Sequence, residues 1–213
     1  KKRVAELREK IKGMGEKKSK KLDNPEPLRE GEKKTSLWRY GENRAADAVT
    51  TANFNGTKYV LLVKRKDGKM AIPGGFIDGN ESGHSAGYSA ARRELEEETG
   101  LKLSGLHGNN IDYTKVEKDP RNTDSRWVTS RIYHFDLGRV DALPEVSSAH
   151  DPDAGTVESK WVPLKEIKKM DLYASHNDFI AKAIRKDAAL ERRFDIELES
   201  EGPSYSTNSF TEW

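Results

Sequence analysis

The stretch RRELEEETG, Arg92 to Gly100, places Glu94, Glu97 and Glu98 at positions i, i+3 and i+4. On a helix those positions share one face, about one turn apart. Carboxylates that close repel one another unless a cation lies over them. Arg93, four residues before Glu97, supplies one positive charge, too little for three carboxylates. A hard divalent ion such as Mg²⁺ suits the cluster, since it takes a few carboxylates and leaves positions for water and phosphate oxygens. Taken alone, an acidic run is more often a solvated face. The opposite side carries Ala86, Ala90 and Leu95, so the helix has a core to pack on. It is predicted over 85–99, with Ser85 as N-cap and Gly100 closing it.

The rest of the chain must supply that core. AVTTANF and KYVLLVKRK are β-rich runs joined at Asn55 and Gly56, a pair that favours a tight hairpin turn. KMAIP is a further short strand, RWVTSRIYHFDL alternates with period two as a long one, and ESKWVPL is another. NDFIAKAIRKDAALERRF closes the fold as a helix. Strands, helix, strands and helix predict an α/β (α+β) sandwich with a mixed sheet.

Length allows one domain with a proper core and extensions, because the chain has 213 residues. Residues 1–35 are expected to be a charged linker or tether, 36–195 the domain, and 196–213 a polar tail. The formal charge of +2 divides unevenly. Residues 1–35 hold 13 basic and 7 acidic residues, against 25 and 29 beyond them. The basic character belongs to the arm, and no folded positive face with interleaved aromatic residues points to a nucleic-acid partner. No apolar run approaches a membrane span, so direct membrane insertion is not expected. Cysteine is absent, so a metal here must use oxygen or imidazole ligands. The chain opens on Lys1 without an initiator Met, which points to a piece of a longer protein.

A second stretch gives the acidic face a reaction. AIPGGFIDGNE supplies a strand end and two glycines that let backbone approach a ligand. Together the two stretches resemble the Nudix box. Gly75 and Glu81 match its first part; Arg93, Glu94, Leu95, Glu97, Glu98, Gly100 and Leu101 match its second. Eleven residues, SGHSAGYSAAR, stand between Glu81 and Arg93 where the box has seven. Counting back from Arg93 with the box's own spacing gives the alternative register of Gly79 and Ser85. The first register is preferred, since four extra residues are about one helical turn and leave the acidic face unrotated. It demands that Gly75 and Glu98 lie beside each other.

Four further segments narrow the resemblance. WRYGENRAAD, KDPRNTDSRW, DPDAG and LYASHNDFI occur in the order and context of the mitochondrial-type ADP-ribose pyrophosphatases. They are equally similar to the C-terminal domain of the ADP-ribose-gated melastatin-type TRP channels. The resemblance implies a Nudix fold and hydrolysis of ADP-ribose to AMP and ribose 5-phosphate with Mg²⁺, Mn²⁺ being the alternative ion. It implies metal ligands at Glu94, Glu97, Glu98 and the Gly75 carbonyl, with Arg93 orienting Glu97. Gly75, Asp119, Arg121, Asp153, Tyr173 and His176 would contact or line the ADP-ribose pocket. Glu81, a box glutamate free of metal, Asp151 and Asp153 are all candidates for the general base. Two roles follow, a free enzyme or a sensor domain covalently part of a tetrameric channel. The expected location is cytoplasmic, or mitochondrial for a free enzyme. A Nudix hydrolase of another nucleoside diphosphate derivative is the third reading.

Overall fold

The computed structural model describes residues 26–78, 85–147 and 156–200, with side chains through residue 189. A mixed seven-stranded sheet lies between two helices. Strand β1 (Gly41–Phe54) turns back into β2 (Thr57–Arg65) through Asn55 and Gly56, whose φ angles of 49° and 74° are those of a tight hairpin turn. The long strand β6 (Arg126–Arg139) runs parallel to β1, and β5 (Asn109–Lys115) pairs antiparallel on its far edge. Strand β7 (Thr156–Pro163) pairs with the outer side of β2.

The inner side of the β1/β2 pair splays into a fork, and the fork positions the site. Strand β2 pairs with β1 only over Thr57 to Val60; beyond that it turns to β3 (Met70–Ala71). The first half of β1 pairs instead with β4 (Gly74–Phe76), through Ala45, Ala46 and Asp47. The MAIPGGF segment therefore crosses from one arm of the fork to the other. Pro73, which has no N–H to give a ladder, stands at the crossing and accepts from the Ala48 amide at 2.9 Å.

Alternation along the strands sends side chains to two cores. Val60, Leu62, Ile132 and Ile72 face α3 (His176–Ser200), which contributes Phe179, Ile180 and Ala183. Leu61, Tyr133 and Phe135 face α1 (Ala86–Thr99), which contributes Ala90, Ala91 and Leu95. Small residues on both surfaces, Ala46 and Ala48 against Ala90 and Ala91, let α1 sit close to the sheet. Leu95 is fully buried and contributes about 2 kcal/mol by leaving water. Gly100 ends α1 at φ 69°, with its N–H on the Glu96 carbonyl. Ser85 precedes the helix, but its side chain makes no capping bond there, contrary to the expectation for it. A short helix α2 (Leu164–Ile167) links β7 to the last helix.

Residues 26–40 form a strap across the start of β6. Arg126 is almost wholly buried and binds the strap with nearly all its donors: Glu32 at 2.8 Å and the carbonyls of Leu37, Glu26 and Pro27 at 2.9 to 3.0 Å. Hydrogen bonds from Ser125 and Arg126 hold the Glu32 carboxyl down to about 2. The last ten residues of the region read from sequence as a linker thus include a segment tied to the domain.

Candidate active site

The glycine crossing brings backbone directly against carboxylates. Gly74 donates its N–H to Glu98 Oε2 at 3.1 Å, and Thr156 donates its hydroxyl to Oε1 at 2.8 Å. A Cβ on Gly74 would stand 2.1 Å from Asp47 Oδ1 and 2.9 Å from the Ala46 carbonyl oxygen. A Cβ on Gly75 would stand 2.2 Å from Glu94 Oε1. The packing, rather than a turn angle, calls for glycine at Gly74, where backbone stands in the way; at Gly75 the obstacle is the movable end of Glu94. The pairing also falls one residue away from the one demanded above: Glu98 meets Gly74, and Glu94 meets Gly75.

These carboxylates are poorly compensated. Burial pushes Glu98 up to about 8, more than the Thr156 and Gly74 hydrogen bonds draw it down, and Glu94 adds a smaller repulsion. Burial likewise pushes Glu94 up to about 7, against the pull of Arg93. Asp47, on β1, accepts a hydrogen bond from Ser130 and is pushed by burial up to about 6. Arg93 holds the helix to the crossing: it reaches Glu94 at 2.7 Å, Glu97 at 3.0 Å and the Phe76 carbonyl at 3.1 Å. Glu97 is the most exposed of the three helix carboxylates and is directed to Arg93.

Across the cleft the charges are already paired. Arg121 forks onto Asp119, Nε to Oδ1 at 2.9 Å and Nη2 to Oδ2 at 2.6 Å, and lies 5.0 Å over the Phe76 ring. Burial would raise Asp119, but Arg121 more than offsets it and holds the carboxyl below its usual range. Tyr173 and His176 flank α3's start, their rings edge to face at 5.7 Å. The Ile72 amide donates to His176 Nδ1 at 3.0 Å, so the neutral ring carries its proton on Nε2, 3.9 Å from Asp47 Oδ1. Burial, with Arg65 adding to it, lowers His176 to about 3, so it is neutral at pH 7. Gly74, Gly75, Glu98, Asp119, Arg121, Tyr173 and His176 line one cleft, with Asp47, Arg65 and Phe76.

The donor set fits a hard cation. Glu94 and Glu98 are neighbouring oxygen donors raised first by burial and further by nearby carboxylates, and a divalent ion would favour their ionised forms. Among the described residues no three such side chains already converge closely enough to hold an ion. Glu97 would have to turn from Arg93 to join them. Glu81, Asp151 and Asp153 lie outside the described residues, as does the join between Asp78 and Ser85 where the extra residues fall.

Residues 42–183 match the NUDIX domain family. The chain belongs to the Nudix family. It is 32% identical to the mitochondrial ADP-ribose pyrophosphatase of Rattus norvegicus, over 70% of this chain and 49% of that protein. It is 30% identical to a transient receptor potential cation channel subfamily M member-like 2 of Nematostella vectensis, over 72% of this chain and 11% of the channel. The crystal structure of a mutT/nudix family protein from Listeria innocua, 30% identical, superposes with a TM-score of 0.52 over 74% of this chain and 99% of that one. The chain spans about half the length of the rat protein.

Within this Nudix fold, two cleft residues, Asp47 and Arg65, and Thr156 beside them escaped the sequence reading. Asp47 closes the WRYGENRAAD segment, but only the pairing of β1 with β4 brings it under Gly74. Thr156 reaches Glu98 because β7 lies on the far side of β2. Arg65 stands in the basic run Lys64 to Lys66, where nothing local separates it from surface charge.

Proposed function

We propose that this domain hydrolyses ADP-ribose to AMP and ribose 5-phosphate with Mg²⁺, Mn²⁺ being the alternative ion. The observation that carries the reading is a single cleft in which the box carboxylate Glu98 and the glycine crossing face the set Asp119, Arg121, Tyr173 and His176. The likeness to the rat pyrophosphatase supports the choice of substrate. Water adds to one phosphorus, the bridging P–O bond breaks, and the leaving phosphate takes up a proton, so one water is consumed per bond cleaved.

Glu94 and Glu98 would hold the ion, joined by Glu97 and the Gly75 carbonyl. When bound, it neutralises pyrophosphate charge and lowers the pKa of water. The chain's own residues do the rest. Arg93 ties the acidic helix to the Phe76 carbonyl and so keeps the ligand face against the glycine crossing. Asp119 keeps Arg121 in a fixed orientation for phosphate, and its carboxylate can also accept from ribose hydroxyls. His176 offers an Nε2–H donor toward the cleft. Glu81, Asp151 and Asp153 remain the candidates for the general base.

A second reading is favoured by the likeness to the Nematostella channel: the domain binds ADP-ribose and passes binding energy to an attached tetrameric channel. The two roles are compatible. Phosphorus NMR of ADP-ribose with protein and Mg²⁺ separates them, with AMP and ribose 5-phosphate expected in equal amounts. Stoichiometric binding with no AMP released would overturn the enzyme and leave the sensor. Faster cleavage of NADH or another nucleoside diphosphate derivative in the same assay would reassign the substrate. A cytoplasmic or mitochondrial location belongs to the same proposal; among the described residues no helix is long and apolar enough to cross a membrane.

A further inference from the structure

The cleft holds two arginines, and they are not equivalent. Arg121 has its Nε and Nη2 committed to Asp119 within the protein. Arg65 has only an exposed contact of its Nε with Asp67 at 3.3 Å. Neither of its terminal nitrogens donates to a protein acceptor among the described residues. Yet its guanidinium is not loose: it lies 3.8 Å over the face of the Tyr173 ring.

The backbone fixes the place of Arg65 as well. It is the last residue of β2 and pairs across the sheet with Thr156, the residue that binds Glu98. A register shift between Lys64 and Arg65 ends the regular ladder there, and the Lys69 and Gly68 backbone closes the turn around it at 2.9 Å. Arg65 therefore stands at the same end of the sheet as the carboxylate wall. It lines the cleft with Asp47, Glu98 and His176. A cation held by an aromatic face, with its fork undirected, is arranged to receive an anion from the cleft.

We propose that Arg65 binds a phosphate oxygen of the diphosphate substrate, and that Tyr173 acts chiefly by holding the Arg65 guanidinium in place. The substrate is the diphosphate of the reading above. Arg65 then grips the pyrophosphate from the β2 side while the ion neutralises it from α1. Tyr173 serves as a positioning residue through its ring rather than through its hydroxyl, which makes only a 3.5 Å contact with Asp119.

Steady-state hydrolysis of ADP-ribose by the whole chain tests this with four variants. Arg65→Gln is expected to raise KM about tenfold, the worth of one charge-assisted contact, with kcat within about twofold. Tyr173→Phe keeps the ring over Arg65 and is expected to raise KM less than Tyr173→Leu, which removes the ring and is expected to reproduce the Arg65→Gln rise. The double variant Arg65→Gln/Tyr173→Leu is expected to be no worse than either alone, because both remove one interaction. An unchanged KM in Arg65→Gln, or additive effects in the double variant, would overturn the proposal. If the wild type releases no AMP, the substrate reading fails by itself. Calorimetric titration with inorganic pyrophosphate and Mg²⁺ then decides on Arg65: weaker binding by Arg65→Gln sustains its role, and equal binding removes it.

Discussion

The two walls of the cleft treat charge in opposite ways. On the helix wall, Glu98 is buried and Glu94 partly so, with too little positive charge, and their pKa values rise to about 8 and about 7. On the loop wall, Asp119 is buried to a similar degree but forks with Arg121, and its pKa falls. Behind that wall Glu32 is paired with Arg126 and lowered to about 2. A wall whose charges are already satisfied is finished by folding. One whose carboxylates are left short of positive charge is the wall that the proposed divalent ion would complete, since its oxygen donors suit such an ion.

Several perturbations would break or sharpen that contrast. The largest effect is expected from Glu98→Gln, which removes a ligand charge but keeps the hydrogen-bonding shape. It should lower kcat/KM for ADP-ribose by about a hundredfold or more while leaving binding detectable by calorimetry. The two glycines should separate next. An added Cβ at Gly75 meets the movable end of Glu94, whereas at Gly74 it meets the Ala46 backbone as well as Asp47. Gly75→Ala is therefore expected to fold and to lose Mg²⁺ affinity. Gly74→Ala is expected to lose about 2 kcal/mol of stability in denaturant unfolding as well.

On the paired wall the outcome reverses. Asp119→Asn is expected to cost about 2 kcal/mol in the same unfolding measurement, because Arg121 loses a charged partner. It should leave Mg²⁺ affinity unchanged. The smallest effect is in the pH dependence of Tm with chelator present. Glu94 and Glu98 are raised above their usual 4.5, so their contribution is full below that value and is lost as pH rises through about 7 and 8. Glu32 is lowered, so its contribution is present above 4.5 and lost as pH falls toward about 2. Tm is expected to decline in both directions from mildly acidic pH. Saturating Mg²⁺ should flatten only the alkaline decline, by favouring the ionised carboxylates.

What the sequence reveals follows the range over which each feature is encoded. The helix over Ala86–Thr99, its Gly100 stop and the Asn55–Gly56 hairpin are set by neighbours a few residues apart, and all three could be read directly. Strand β5 could not: NNIDYTK is polar, sits at an edge, and owes its conformation to β6. The parallel pairing of β1 with β6 is likewise invisible in either strand alone. The same limit applies to the cleft. Asp119, Arg121, Tyr173 and His176 could be singled out because family segments carry them. Asp47, Arg65 and Arg126 gain their meaning from contacts across more than forty residues of chain, such as Asp47 with Ser130 and Arg126 with Glu32. Nothing in their local sequence separates them from ordinary strand residues.

The contrast between the walls is tested most directly by titrating Mn²⁺, followed by electron paramagnetic resonance, into the wild-type chain and two variants. The wild type and Asp119→Asn are expected to bind the ion with the same affinity. The Glu94→Gln/Glu98→Gln variant is expected to leave it free in solution. Equal binding by all three proteins, or loss of the ion on Asp119→Asn alone, would contradict the assignment of the carboxylate wall as the cation site.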